Sequence, residues 1–380
     1  MVEHVFTRRL DGRRLAVAAV LAIAMAATAF EVRSSELVLG VSAEISNQGL
    51  AVDQLEGARL YFEEVNRAGG VGGKRLRLEV MDDGRDPAVT VANTRALIAN
   101  PEVVALFGYR ATPTIRAALP VVEEAGIALI APFSGAEFLY GHPYVFPVRA
   151  GYRDEARRAV SLASTLAVTR FAILHQTDEF GQDGLAGYLE GLKDLALEPV
   201  AVASYDRAKL DTDEAVRSIA AARPHAVLMA CTPAACFKAI RQLREADEQA
   251  LVLMLSNVAG ADFAGQLGSD CRGVGLTMVM PRPRSSMDVP IAGAFARSAQ
   301  AARSVAVNEA SFEGYVAARL VVEALRRVEG PIGREQLVAA LNGLGRFDLG
   351  GIPVDFSSSS GRVDRYVDLA VMGSDCRLMR

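Results

Sequence analysis

Cysteine and histidine are scarce in this 380-residue chain. The cysteines, Cys231, Cys236, Cys271 and Cys376, all fall in the second half, and the histidines are His4, His142, His175 and His225. So thin a supply excludes a fold built on disulfides, although one or two bridges suit an oxidising compartment and the pairing stays open. It also excludes the common zinc arrangements, because no histidine stands at ligand spacing from Cys231 or Cys236. No metal or cofactor is expected.

Excess charge of one sign is missing too. Lys and Arg number 41 against 45 Asp and Glu, a formal net charge of -4. That leaves no basic stripe for nucleic acid and no acidic tail. Long apolar runs are absent except for Leu15 to Ala27, which follows Arg8, Arg9, Arg13 and Arg14 and precedes an Ala27-Thr28-Ala29 cleavage pattern. This predicts a cleaved secretory signal peptide over residues 1–29, too short for a membrane span, and export to the periplasm. No cysteine near the cleavage site offers a lipid anchor.

Catalytic motifs are lacking as well. "AGGVGGKR" at 68–75 has Ala68 in place of the first glycine of a phosphate loop and Arg75 where Ser or Thr holds magnesium, so it reads as a helix end and turn. "FSSSSG" and "PFSGAE" lack the G-x-S-x-G nucleophile elbow. An enzyme is not expected.

What is present is a repeated pattern. With 51% hydrophobic and 23% charged residues, the chain can form sizeable cores, and its length suggests about two domains. Short apolar runs alternate with longer amphipathic stretches, the mark of βαβ units and parallel sheets. The first set runs "LVLGV", "RLRLEVMDD", "VVALFG" and "IALIAP"; the second runs "RFAILH", "PVAVASY", "AVLMA" and "LVLML". Thr112-Pro113 and Thr232-Pro233 then stand at matching places, each opening a helix after the third strand of its set. Thr112 reads as an N-cap, and Asp211 with Glu214 as a capping box. Parallel sheets bind ligands beyond the carboxyl ends of their strands, so two such lobes facing each other form a clamshell around one cleft. The predicted fold class is therefore α/β, with two Rossmann-like lobes joined by a multi-strand hinge. Lobe 1 is expected over 36–150 plus 283–333 and lobe 2 over 151–282 plus 334–380.

The segments "EGARLYFEEVNRAGGVGGKRLRLEVMDD", "ALFGYRATPT", "IALIAPFSGAEFL", "VFPVRAGYRDEA", "DEFGQDGL" and "EGYVAARLVVEALRR" resemble the type I periplasmic binding proteins, in particular the leucine/isoleucine/valine-binding group that serves ABC importers. The resemblance covers residues 36–380 and implies a monomeric receptor that captures a small molecule and delivers it to an inner-membrane ABC permease. It assigns the ligand's polar head to Thr112 and Thr114 of "RATPT", with Tyr109 and Arg110 just before them, and to Phe133, Ser134 and Gly135 of "PFSGAE". On the facing wall it implies Phe180, Thr232 and Asn257. Arg110 can also clamp a ligand carboxylate. One departure concerns "LSNVAG", where relatives that bind α-amino acids place a carboxylate for the ammonium. Here Ser256, Asn257 and Val258 stand in its place, so a plain amino acid requires Asp178, Glu179 or Asp262 as substitute. The other readings of this fold are a sensor acting on a signalling partner and, more remotely, a secreted enzyme.

Overall fold

A computed structural model describes residues 36–46, 49–246, 249–258, 263–284, 289–357, 365–373, 375–376 and 378–379. The signal peptide, Asp262 and the serines of "FSSSSG" beyond Ser357 lie outside the described residues.

In the first lobe, β1 (Glu36–Ser42), β2 (Arg75–Met81), β3 (Val103–Phe107), β4 (Leu129–Ile130) and β5 (Val145–Phe146) form a parallel sheet in the order β2-β1-β3-β4-β5. α1 (Leu50–Arg67), α2 (Pro87–Ala99) and α3 (Thr112–Ala125) make its crossovers. β1, β3 and β4 are buried almost throughout, because helices cover both faces of the sheet. The second lobe opens with α4 (Tyr152–Ser164). There β6 (Phe171–Gln176), α5 (Glu179–Asp194), β7 (Ala201–Tyr205), α6 (Asp213–Ala221), β8 (Ala226–Ala230), α7 (Pro233–Glu245), β9 (Leu251–Met254), α8 (Phe263–Leu267) and β10 (Val274–Met278) follow in turn. Its sheet runs β14-β13-β10-β9-β8-β6-β7, in which β13 (Asp368–Met372) and β14 (Leu378–Met379) are antiparallel additions. Both lobes are thus the α/β units expected.

After β10 the chain returns to the first lobe as α9 (Pro290–Ala302) and α10 (Glu309–Leu325). α10 is buried along nearly its whole length, because α1 and α9 flank it and its apolar side chains join the first-lobe core. The next elements depart from expectation. α11 (Arg334–Gly343), β11 (Arg346–Asp348) and β12 (Pro353–Asp355) were assigned by sequence to lobe 2, yet Leu337, Leu341, Leu349 and Val354 sit in the lobe 1 core. Arg334 fixes the placement. Its guanidinium donates to the carbonyls of Ile98, Asn100 and Val103 at 2.7, 3.0 and 2.9 Å, which closes the carboxyl end of α2, where carbonyls lack helical partners. Only β13 and β14 reach the second sheet. The chain therefore passes between the lobes at 147–152, again between β10 and α9, and again between β12 and β13.

Another local expectation fails. α6 starts after Thr212 with no side-chain cap, while Asp211 Oδ1 accepts from the amide of Asp213 at 3.2 Å, so no capping box forms. The four cysteines pair as Cys231–Cys236 and Cys271–Cys376. Among the described residues no helix is long and apolar enough to cross a membrane.

Candidate functional site

Beyond β3 the backbone takes two left-handed turns. Gly108 has φ +63°, and a Cβ there would lie 3.0 Å from the Phe133 ring. Ala111 has φ +71°, a strained value for a residue with a Cβ. Between them Arg110 bridges to Phe133 through the backbone, so the strand ends of β3 and β4 are tied side by side. This geometry moves the helix start by one residue. Ala111, not Thr112, occupies the cap position of α3, and no side chain caps it. The Thr112 hydroxyl is instead 3.0 Å from that of Ser134.

A cavity of ≈ 260 Å³ opens in front of this turn, between the lobes. Arg110, Thr112 and Phe133 line it from the first lobe; Phe180, Thr232 and Asn257 line it from the second. Thr232 sits at the head of α7, held by the bond from its amide to Tyr205 Oη at 3.1 Å. Asn257 is oriented by its Nδ2, which donates to the Cys231 carbonyl at 3.0 Å. The Cys231–Cys236 bridge thus staples the turn on which both Thr232 and the Asn257 anchor depend. Phe180 packs edge-on against Tyr152 with ring centroids 4.7 Å apart.

Four expected site residues lie outside this lining. Tyr109 is fully buried behind it, its hydroxyl 3.1 Å from Thr94 Oγ1. Thr114 Oγ1 donates back to the carbonyl of Ala111 at 2.9 Å and to that of Arg110, because at the third helical position its hydroxyl points down the helix start. Ser134 is buried and supports Thr112 and the Ala136 amide. Gly135 meets the first interlobe crossing: its carbonyl accepts from Tyr152 N at 2.7 Å, and a Cβ there would lie 2.9 Å from Ala150 O.

Ionic residues that motif reading passed over complete the lining. Arg85 pairs with Glu44 at 2.5 Å, and Arg207 Nη1 lies 3.8 Å from Asp178 Oδ2. Asp178 Oδ1 caps α5 through Gly181 N at 3.1 Å and accepts from Gln176 Nε2, leaving Oδ2 buried without a hydrogen bond. Asn257 Oδ1 is likewise buried and unpartnered. Of the acids offered as substitutes at the ammonium position, Asp178 reaches the cavity and Glu179 does not, while Asp262 lies outside the described residues. Glu179 faces outward and forms a bidentate pair with Arg116 across the lobes, 2.9 Å from its Nε.

Arg149, on the first crossing, lines the cavity from behind and was legible only as part of "VFPVRAGYRDEA". It is 4% exposed and stands between two glutamates, Glu155 of the second lobe at 3.8 Å and Glu313 of the first at 3.7 Å. Burial opposes its charge, but Glu313, Tyr152 and Glu155 outweigh burial and raise its affinity for the proton. Arg110 fares differently: burial, then the neighbouring cation of Arg85, lowers its guanidinium to about 10. Among the described residues no carboxylate lies within ion-pair distance of Arg110, and its guanidinium donates from Nη1 to Gln54 Oε1 at 2.9 Å. Arg110 lines the cavity, where an anion is a suitable partner for it, since a buried cation without one is costly.

Sequence and structure comparison then decide the family, because a family model described as a periplasmic binding protein matches residues 45–377. The chain belongs to the periplasmic binding protein family. Its fold is shared with a substrate-binding periplasmic protein from Ralstonia solanacearum, 32% identical, with 90% of this chain and 98% of that one aligned at a TM-score of 0.80. A possible leucine/isoleucine/valine-binding protein from Rhodopirellula baltica is 26% identical over 93% of this chain and 98% of its own, at a TM-score of 0.84. Among curated relatives, an amino acid binding protein of Pseudomonas aeruginosa is 26% identical over 237 residues, 61% of this periplasmic binding protein and 62% of the relative. The chain therefore aligns with less than two thirds of that relative's length. Among the described residues no cluster of three or more metal-ligating side chains occurs.

Proposed function

We propose that this protein is the exported solute receptor of an ABC importer, closing its lobes on a small amino acid or related carboxylate and presenting it to an inner-membrane permease. The observation that carries the reading is the opposite character of the two cavity walls. Arg110 and Thr112 offer donors on one side; on the other, Asp178 Oδ2, which has an ion-pair neighbour in Arg207 but no hydrogen bond, and Asn257 Oδ1 offer acceptors free of hydrogen bonds. A ligand with a carboxylate at one end and an N–H donor near it answers both. The charge count agrees: Arg85 pairs with Glu44, Arg207 with Asp178, and Arg149 with both Glu155 and Glu313, so four carboxylates balance these three arginines and the unpaired Arg110. A site so balanced favours a ligand of no net charge. Leu50, Phe133, Phe180 and Phe237 supply apolar wall for its body, and the volume suits a ligand at the small end of the usual range. The name of the Pseudomonas aeruginosa relative points the same way. The predicted signal peptide supports export, with mature protein starting near Phe30.

Thermal-shift titration with a panel of amino acids, each beside its deaminated acid and its carboxamide, tests the reading. Binding to the native state alone raises stability by about 2.7 kcal/mol at a hundredfold excess over Kd. Asp178→Asn is expected to weaken an amino acid more than its deaminated acid, by about tenfold. A panel in which no member stabilises the protein sinks the proposal.

A further inference from the structure

Behind Arg110 lies a chain of hydrogen bonds that the binding site does not need in order to be lined. Gln54 of α1 accepts from Arg110 Nη1 through Oε1 and donates through Nε2 to Glu313 Oε2 at 3.1 Å. Gln54 is 3% and Glu313 5% exposed. An isolated amide can turn over and present either end, but Gln54 cannot: the carboxylate of Glu313 only accepts, so Nε2 must face Glu313 and Oε1 must face Arg110. Glu313 in turn lies 3.7 Å from Arg149, whose Nη2 donates to Ser256 Oγ, and Ser256 Oγ donates on to Glu155 Oε1 at 3.0 Å. Glu155 also accepts from the Ser256 amide at 2.8 Å and from Thr277 Oγ1 at 2.5 Å. The residue after Ser256 is Asn257, on the opposite wall. A hollow of ≈ 30 Å³ behind the cavity is bordered by Gln54, Arg110, Arg149, Asn257 and Glu313 together with apolar Leu50, Met278 and Met280, so the polar side chains of both walls meet around one small space.

We infer that Gln54 and Glu313 are positioning residues that hold the Arg110 guanidinium toward the ligand's anionic group, and that their network, continued through Arg149, sets both walls of the site at once. The inference rests on the reading of the cavity as a carboxylate-binding site. Its physical basis is conformational entropy: a long arginine side chain free to swing loses rotamer freedom on meeting its ligand, whereas one already tethered meets it at less cost. Arg110 has no carboxylate to tether it, which is the condition under which its charge stays available; Gln54 is a neutral acceptor and holds the guanidinium without neutralising it.

The test compares Kd values for the best-binding carboxylate of the panel and for its own carboxamide, by calorimetry on the full mature chain. Wild-type protein is expected to favour the carboxylate, and Arg110→Gln to bring the ratio close to one. Gln54→Leu, which removes the tether and keeps the bulk, is expected to cut the ratio by about tenfold; Gln54→Asn, too short to reach both partners, does the same where the leucine variant folds poorly. Glu313→Gln, whose amide can donate as well as accept, no longer fixes the orientation of Gln54 and is expected to lower the ratio, though by less than Gln54→Leu; an unchanged ratio removes Glu313 from the positioning role. A Gln54→Leu protein with the wild-type ratio, alongside an Arg110→Gln protein that has lost it, overturns the positioning role and leaves the site reading standing. If Arg110→Gln changes nothing, or no carboxylate binds, the site reading falls and the positioning role falls with it. A loss of stability in Gln54→Leu with the ratio unchanged marks a structural contact only and also overturns the inference.

Discussion

Thr112 and Thr114 look alike in sequence, two hydroxyls astride a proline, and the structure separates them completely. Thr112 lines the cavity, whereas Thr114 spends its hydroxyl on the carbonyls of its own helix start. Thr114→Val is accordingly expected to leave ligand affinity unchanged and to cost at most about 1 kcal/mol of stability, since its hydrogen bonds have backbone partners at a helix end. Thr112→Val is expected to weaken binding by about 0.5–1.5 kcal/mol. Calorimetry and urea unfolding on the pair of variants check both expectations, and an affinity loss confined to Thr114→Val contradicts the placement. The spacing of the two threonines from Pro113 was legible; the direction of each hydroxyl was not, because it depends on the left-handed φ at Ala111 that shifts the helix start.

At the scale of elements, the pairing of α1 with α10 holds Gln54 against Glu313. The two helices approach backbone to backbone at glycines. A Cβ on Gly57 would stand 1.7 Å from Ser311 O, and one on Gly314 would stand 1.8 Å from Gln54 O. Gly57→Ala and Gly314→Ala are therefore expected to lower stability by about 1–3 kcal/mol or more, as the helices must part to admit a methyl group. Gly343→Ala is the control, because a Cβ there meets nothing within 4 Å and alanine is the better helix former by about 1 kcal/mol. Urea midpoints at constant m-value distinguish the cases, and equal stability of Gly57→Ala and wild type contradicts the packing. α11 teaches a related lesson. Its apolar positions Leu337 and Leu341 were visible as one helical face, but either lobe can cover such a face, and the choice was made by Arg334 and the open carbonyls at the end of α2.

For the whole molecule, three crossings join lobes that share one buried apolar cluster, with Ile115 and Leu139 on one side and Phe180 and Tyr188 on the other, and that also meet through polar contacts. Arg116 of α3 pairs with Glu179 of α5 and lies 3.5 Å from the centre of the Phe138 ring, and Asp183 of α5 accepts from the amide of Glu137 at 3.0 Å. The exposed Arg116–Glu179 pair is screened and individually weak, so it suits a clasp that opens. Small-angle scattering is expected to show a smaller radius of gyration with saturating ligand than without, and the difference is expected to widen in Arg116→Ala, whose free form lacks the clasp. Profiles that coincide with and without ligand, in both proteins, rule out closure by hinge bending.

The sequence by itself determined the two-lobed α/β architecture, since strand and helix periodicities and the repeated Thr-Pro helix starts are local properties of the chain. It also marked the strand ends at which Arg110, Thr112, Phe133, Phe180, Thr232 and Asn257 gather. Tertiary structure alone decided which hydroxyls turn outward, that Asp178 rather than Glu179 faces the cavity, and that Gln54 and Glu313, 259 residues apart, meet behind Arg110. Those outcomes depend on helix crossings and on the pairing of buried charges, and a buried charge is settled by the partners that reach it in space, which no spacing along the chain prescribes.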